Sequence, residues 1–114
     1  MNPTTSSHRF RAYDLSLEAL RLTRAPLARI RVADRNIADQ LQRAATSVSL
    51  NLAEGAKRRG RDRARFYRIA AGSAAEARAC LDVAEALGVV ARVELEAAWR
   101  AFDAVAAMLY PLTR

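Results

Sequence analysis

Apolar residues recur every three to four positions along most of this chain, which is the spacing of amphipathic α-helices. The pattern divides into four segments. Pro26 interrupts the first segment, so the first helix is predicted to be kinked or split there. The second follows Asp34, a residue type that caps helix N-termini. Gly60 and Asp62 lie between the second and third segments as a predicted helix end and cap, and Gly88 ends the third.

The fourth segment runs from about Arg92 to near Pro111, and all the connections are short. Short connections between helices favour antiparallel neighbours. The predicted fold class is therefore all-α, an antiparallel up-and-down four-helix bundle over residues 10–114. The polar residues 1–9 have no helical periodicity, and they are predicted to form a disordered tail. Alanine supplies 26 residues of the chain, so the core is expected to be thin and the helices closely packed.

The composition argues against several classes of site. The single cysteine, Cys80, excludes an intramolecular disulfide and a cysteine-based zinc cage. The single histidine, His8, lies in the polar tail, which argues against histidine-ligated metals and histidine-dependent triads. No apolar run approaches the ~20 residues of a membrane span, and the N-terminus lacks the apolar core of a signal peptide. We therefore expect a cytoplasmic protein with no metal, no cofactor and no membrane partner.

Positive charge is the extreme feature of the composition. The formal net charge is +7, and 18 of the 19 basic residues are arginine, whose forked guanidinium matches phosphate geometry. Residues 57–68, here called the basic tip, join the second and third helices and hold seven cations and one acid. The seven cations of the basic tip are Lys57, Arg58, Arg59, Arg61, Arg63, Arg65 and Arg68.

Two interpretations of the basic tip stay open. Phe66 and Tyr67 lie among the arginines, and phosphate pairing with base stacking uses these residue types, so the tip is a candidate nucleic-acid interface. Alternatively, the tip is a solvated helix end whose cations complement the helix dipoles, with Phe66 in the core.

Polar residues also follow one face of the second and third helices. Glu54 and Glu76 among them could form a carboxylate pair for acid–base or di-metal chemistry, but di-iron bundles use Glu-x-x-His pairs and none exists here. A hydrogen-bonded interior seam that fixes helix register is the favoured interpretation, and no catalytic residue is assigned. The residues of this structural motif are Arg43, Ser47, Asn51, Glu54, Gly55, Gly72, Ser73 and Glu76.

Several large apolar residues fall off the predicted core stripes. They are Leu15, Leu22, Leu50 and Val83. Such residues on different helices indicate either a subunit interface or a core stripe wider than the minimal pattern.

The motif residues also carry a family resemblance. Residues 40–63 (QLQRAATSVSLNLAEGAKRRGRDR) and 66–90 (FYRIAAGSAAEARACLDVAEALGVV) resemble the bacterial four-helix-bundle family of the 23S rRNA intervening-sequence proteins. That family has a Q-x-x-R-A-x-x-S stretch that continues into N-[hydrophobic]-A-E-G, followed by a basic tip and A-x-G-S-x-x-E. The matching positions are Gln40, Arg43, Ala44, Ser47, Val48, Asn51, Leu52, Ala53, Glu54, Gly55, Ala70, Gly72, Ser73 and Glu76.

The resemblance implies an up-and-down four-helix bundle that assembles into a ring-like homopentamer. A similar protein, the accessory protein of diversity-generating retroelements, is a pentamer that binds nucleic acid and a reverse transcriptase. We therefore expect a non-enzymatic homo-oligomer that binds nucleic acid, RNA in preference to DNA, through the basic tip. The alternative is a protein-interaction adaptor that docks a partner such as a reverse transcriptase.

Overall fold

The protein is described here from a computed structural model, which covers the backbone of residues 3–113 and the side chains of residues 11–113. This described part is all-helical. Its elements are α1 (Pro3–Ala33), α2 (Arg35–Ala56), α3 (Gly60–Ala86), α4 (Arg92–Leu109) and a single 3₁₀ turn (Tyr110–Leu112). Each long helix packs mainly against two others, with α1 and α3 both lying between α2 and α4. The result is a four-helix bundle of 46 × 21 × 18 Å.

Three of the predicted boundary residues act as predicted. The Asp34 carboxylate accepts a hydrogen bond of 3.0 Å from the Ile37 amide, which caps the N-terminus of α2. Gly88 follows the last turn of α3 with a φ of +77°, a left-handed conformation that favours glycine and ends the helix. α4 starts at Arg92, and Pro111 lies in the 3₁₀ turn that follows it.

At Pro26 one of the two predicted alternatives is excluded, because α1 continues through this residue and is not split; the predicted kink stays a prediction. Two boundary predictions were wrong, those for Asp62 and Gly60. Asp62 does not cap α3, because that helix begins two residues earlier at Gly60 and its N-cap position is Arg59. Asp62 instead lies in the first turn, where a carboxylate complements the positive end of the helix dipole. Gly60 has the left-handed φ of +58°, as a helix-ending glycine does, but it opens α3.

The disordered tail predicted for residues 1–9 stays a prediction. The backbone of α1 is described from Pro3, whereas Met1, Asn2 and the side chains of residues 3–10 lie outside the described part of the chain.

The core is thin and alanine-rich, as the composition indicates. Eleven of its buried residues are alanine, and its largest fully buried side chains are Tyr67 and Phe102. Two buried hydroxyls are accommodated by hydrogen bonds, because Ser16 and Ser49 pair across α1 and α2 at 2.8 Å. Leu15 and Leu22 are half-buried against this core, so the wider core stripe accounts for them. Leu50 and Val83 remain exposed at 68% and 42%.

Candidate nucleic-acid interface

The basic tip forms one end of the bundle. α2 ends at Ala56 and α3 begins at Gly60, so only three residues make the turn. The positive φ of Gly60 lets the chain reverse there without the strain that a side chain would bring. All of residues 57–61 are exposed. The fold thus places the densest positive charge of the sequence on a solvent-facing turn.

Arg58 is the hub of an ion-pair network within the tip. Its guanidinium lies 3.1 Å from the Glu54 carboxylate on α2 and 3.2 Å from the Asp62 carboxylate on α3. Asp62 also pairs with Arg65 at 2.9 Å. Both guanidiniums lie over the Phe66 ring, at 5.1 Å for Arg58 and 4.4 Å for Arg65. Two of the seven cations are therefore engaged within the tip: Arg58 links the end of α2 to the start of α3, and Arg65 pairs within α3.

The electrostatics of Asp62 reflect this network. The hydrogen bond from Arg65 lowers the pKa of the Asp62 carboxyl below its usual value, and the charges of Arg58 and Arg65 act in the same direction. Asp62 is consequently ionised throughout the neutral range, and its charge offsets part of the local positive potential.

Three cations of the tip are left free. Lys57, Arg59 and Arg61 are exposed, and none of them forms an ion pair with a residue in the described part of the chain. Arg68 donates to the Thr113 carbonyl at 2.8 Å. Arg63 is half-buried, and its buried Nε has no hydrogen-bond partner among the described residues. The seven predicted phosphate-binding residues thus divide into three exposed cations without an ion pair, three that contact other residues of the protein, and the half-buried Arg63.

The two aromatic residues differ in accessibility. Tyr67 is only 1% exposed, so the suggestion that it stacks on a base is wrong. Its ring packs against α2, where the Cβ of any larger residue at Gly55 would lie 2.6 Å from Tyr67 Cε1. Phe66 is half-buried beneath Arg58 and Arg65. A base could stack there only after these guanidiniums move aside.

Four of the eight structural motif residues line a surface groove between α2 and α3, namely Arg43, Ser47, Ser73 and Glu76. Ser47 and Ser73 share a hydrogen bond of 2.8 Å across the two helices, and Asn51 Nδ2 donates to the Ser47 carbonyl and hydroxyl oxygens. Arg43 and Glu76 are exposed beside an opening of about 290 Å³. The motif therefore includes a polar bridge, but it is not the fully interior seam that the sequence predicts.

Nor does the fold bring the two candidate catalytic carboxylates together. Glu54 lies at the tip and pairs with Arg58, whereas Glu76 lies beside Arg43. Arg43 and Glu54 are eleven residues apart on α2, which corresponds to roughly 16 Å along the helix. No group of three or more metal-ligating side chains occurs among the described residues.

The two helical glycines of the motif have different surroundings. Gly55 is buried against Tyr67 and Phe66, so α2 and α3 approach each other closely there. At Gly72 nothing in the described protein lies within 4 Å of the position of a Cβ, so no close approach of a neighbouring helix requires this glycine.

The sequence analysis did not predict which cations of the basic tip form ion pairs and which do not. The signal was present in the spacing, because Glu54, Arg58 and Asp62 follow one another at intervals of four, the spacing of helical ion pairs. It also missed a shallow groove between α1 and α2, which is bordered by Leu20, Arg24 and Leu27. Among the helices that the structure describes, none is long and apolar enough to cross a membrane.

These features define a class of protein: a small four-helix bundle with a cationic turn at one end and a polar motif across α2 and α3. The chain matches the family model of the 23S rRNA-intervening sequence protein over residues 10–111, and it belongs to this family. No curated protein and no solved structure is similar enough to the chain to count as a match.

Proposed function

We propose that this protein binds nucleic acid, RNA in preference to DNA, through Lys57, Arg59 and Arg61, and that it does so without catalysing a reaction. The observation that carries the proposal is the exposure of these three cations on one turn with no acidic partner among the described residues. A free surface guanidinium can form a phosphate contact without first breaking an ion pair. Membership of a family described by an rRNA intervening sequence supports RNA as the ligand.

The chemistry of the turn favours backbone recognition over base recognition. Its cations match phosphates, and the amide groups at the start of α3 add the positive end of a helix dipole. Among the tip aromatics, Tyr67 is buried and Phe66 is covered by guanidiniums. Sequence preference is therefore expected to be slight. The proposed setting is the cytoplasm, where RNA is present.

The assembly proposed for this function is an antiparallel bundle repeated in a ring, most simply a homopentamer. Contacts between α1 and α2 support the antiparallel order, because Ser16 meets Ser49 whereas Arg31 meets Asp39. The same inverse order holds where α3 meets α4, in the contacts Arg78–Asp103 and Arg68–Thr113. A ring would repeat the tip around a rim, and multivalency would amplify a weak affinity of each tip.

The proposal is tested by fluorescence anisotropy with single-stranded RNA, duplex RNA and DNA of equal length. The test variant reverses Lys57, Arg59 and Arg61 to Glu, and the control variant reverses Arg29, Arg35 and Arg100 to Glu. Both changes lower the net charge equally, but the control positions lie outside the basic tip. We expect the tip variant to lose at least tenfold in affinity and the control to lose much less.

Two results would contradict the proposal. Equal affinities of the tip variant and the wild type would exclude the tip, and equal losses in both variants would indicate attraction by overall charge alone. Undetectable wild-type binding at ~50 mM salt would favour the adaptor alternative, in which the tip docks a protein such as a reverse transcriptase. Light scattering is the separate test of assembly, since a protomer mass of 12.5 kDa in solution would contradict a ring.

A further inference from the structure

An exposed aromatic side chain lies after α4, on the side of the bundle that faces α3. Tyr110 is 68% exposed and opens the 3₁₀ turn. It follows Asp103 by seven residues, which is two turns along the same helix face, and Asp103 pairs with Arg78 of α3. Beyond Tyr110, the Thr113 carbonyl accepts a hydrogen bond of 2.8 Å from Arg68 in the basic tip. The fold therefore brings Tyr110 alongside the part of α3 that belongs to the basic tip.

Three exposed arginines lead from the turn at Gly60 toward this aromatic residue. Arg61, Arg65 and Arg68 follow one another at intervals of four and three residues, which places them on one face of α3. They span roughly 10 Å along the helix. A guanidinium has five N–H groups, so Arg65 and Arg68 keep donors for a phosphate besides those that bond within the protein. We call these three residues the α3 arginine track.

The backbone around Tyr110 is held in place on both sides. Its amide donates to the Ala106 carbonyl, which continues the hydrogen bonding of α4. Its carbonyl accepts from the Thr113 hydroxyl at 2.8 Å and from the Thr113 amide at 3.3 Å. Pro111 follows directly, and its ring fixes the φ angle of that residue. Since a tyrosine side chain has only two χ angles to restrict, the exposed ring offers a stacking surface at a low cost in conformational entropy.

We propose that an unpaired RNA base stacks on the Tyr110 ring while the adjoining phosphates lie along the α3 arginine track. The track corresponds to about three nucleotides at the ~3.4 Å rise of a stacked strand. A ring on the protein surface stacks on bases that are splayed out of a helix, so the ligand is single-stranded RNA. Every base has a π-face, so the stack tolerates many sequences. The inference rests on the proposed function and names the form of RNA that it binds.

Anisotropy titrations with single-stranded and duplex RNA of equal length test the stacking. The proteins are the full-length wild type, Tyr110→Ala, Tyr110→Phe and the control Leu50→Ala, whose side chain on α2 is also 68% exposed. We expect Tyr110→Ala to lower the affinity for single-stranded RNA by at least about fivefold, the smaller end of the effect of losing one base–aromatic stack. Its duplex affinity should not change. Tyr110→Phe keeps the ring, so it should bind like the wild type, as should Leu50→Ala.

A fluorescent base reports the stack directly. Single-stranded RNA that carries 2-aminopurine should lose fluorescence on binding the wild type and Tyr110→Phe, because stacking on an aromatic ring quenches this base. It should keep more of its fluorescence on binding Tyr110→Ala at saturating protein. Circular dichroism checks that each variant keeps its helices. If Tyr110→Ala loses helicity, Tyr110→Leu replaces it, since leucine keeps an apolar side chain without an aromatic ring.

The outcomes separate this inference from the proposed function. Unchanged affinity of the Tyr110 variant for single-stranded RNA, or equal losses for single-stranded and duplex RNA, would overturn the stacking and leave phosphate binding by the basic tip intact. Retained affinity after reversal of Lys57, Arg59 and Arg61 would overturn the proposed function, whatever the Tyr110 variants show. A wild type that binds neither form of RNA would overturn both.

Discussion

Two glycines inside helices show that packing requires the lack of a side chain at one position but not at the other. Gly55 lies against the Tyr67 ring, and a Cβ there would approach Cε1 to 2.6 Å, which is shorter than any normal carbon contact. Gly72 faces open space in the protomer. The sequence motif contains both, and nothing in their local sequence distinguishes a glycine required by packing from one that is not.

The two positions should therefore respond in opposite directions to the same substitution. Gly55→Ala is expected to lower the free energy of unfolding by about 1–3 kcal/mol, because the buried Tyr67 ring cannot move without disturbing the core. Gly72→Ala is expected to raise it by up to ~1 kcal/mol, because alanine restricts the unfolded chain and favours the helix. Urea denaturation of both variants measures this, and a stabilising Gly55→Ala would contradict the packing argument.

At the scale of the helices, hydrophobic periodicity predicts the elements well because each helix buries one face. It predicts the number of helices, the cap at Asp34 and the end of α3 at Gly88, all of which the structure confirms. The sequence does not predict a helix boundary correctly where two neighbouring residues both favour one. Asp62 has the chemistry of a cap, yet the left-handed Gly60 lets α3 begin before it.

The sequence predicts where the candidate site lies, but it does not predict which of its cations form ion pairs and which are free. Charge density identifies residues 57–68, because seven cations in twelve residues are visible in the sequence. Which cations are free depends on distances between α2 and α3 that only the packed structure supplies. Arg58 and Arg59 are neighbours of the same type, but the first bridges two carboxylates and the second is unpaired.

The ion pairs at the helix ends predict how stability depends on pH. Hydrogen bonds from arginine lower the pKa values of Asp39, Asp62 and Glu96 below their usual values. A carboxyl whose folded pKa is lowered contributes stability above its unfolded pKa, and this contribution is lost as the pH falls through the folded pKa. The melting temperature should thus be level from pH ~7 to ~5 and fall below pH ~4, near the unfolded values.

The variant Asp62→Asn tests how much of this pH dependence of the melting temperature comes from the basic tip. It should show a smaller loss of melting temperature between neutral and acidic pH than the wild type, because one titrating group is removed. Asp14→Asn, at an exposed acid with no ion pair in the described chain, is the matched control, and its melting temperature should fall on acidification as much as that of the wild type. Thermal unfolding followed by circular dichroism checks both, and a wild-type melting temperature that rises on acidification would exclude this account.

At the scale of the whole molecule, the fold separates two tasks. Ion pairs join neighbouring helices, as Arg31 does with Asp39 and Arg92 does with Asp82. Lys57, Arg59 and Arg61 lie at one end of the bundle, and they form no ion pair with any described residue. Under the proposed function, this end can bind a polyanion without breaking an ion pair within the bundle.

The salt dependence of RNA binding should distinguish the free cations of the basic tip from the paired ones. Each phosphate neutralised releases counterions and adds about 0.7 to 0.9 to the slope of log affinity against log salt concentration. Arg59→Gln removes a free cation, so it should lower both the slope and the affinity while leaving the melting temperature unchanged. Arg58→Gln removes the bridge from Glu54 to Asp62, so it should lower the melting temperature. It also frees Glu54 and leaves Asp62 paired with Arg65 alone among the described residues, so it should weaken binding as well, but through repulsion of the RNA.

Removing the two carboxylates as well distinguishes the two mechanisms at Arg58. In the triple variant Arg58→Gln, Glu54→Gln, Asp62→Asn, one cation and two acids are removed, so the net charge is one unit more positive than in the wild type, and affinity and slope should return at least to the wild-type values. The same two acid replacements added to Arg59→Gln should not restore its slope, because the lost phosphate contact has no substitute. Anisotropy titrations from ~50 to ~300 mM salt give the slopes, and this range covers the conditions in which counterion release dominates affinity. If Arg58→Gln and Arg59→Gln gave equal slopes when combined with Glu54→Gln and Asp62→Asn, the paired and the unpaired arginine would contact RNA alike. That result would refute the division of the basic tip into free and paired cations.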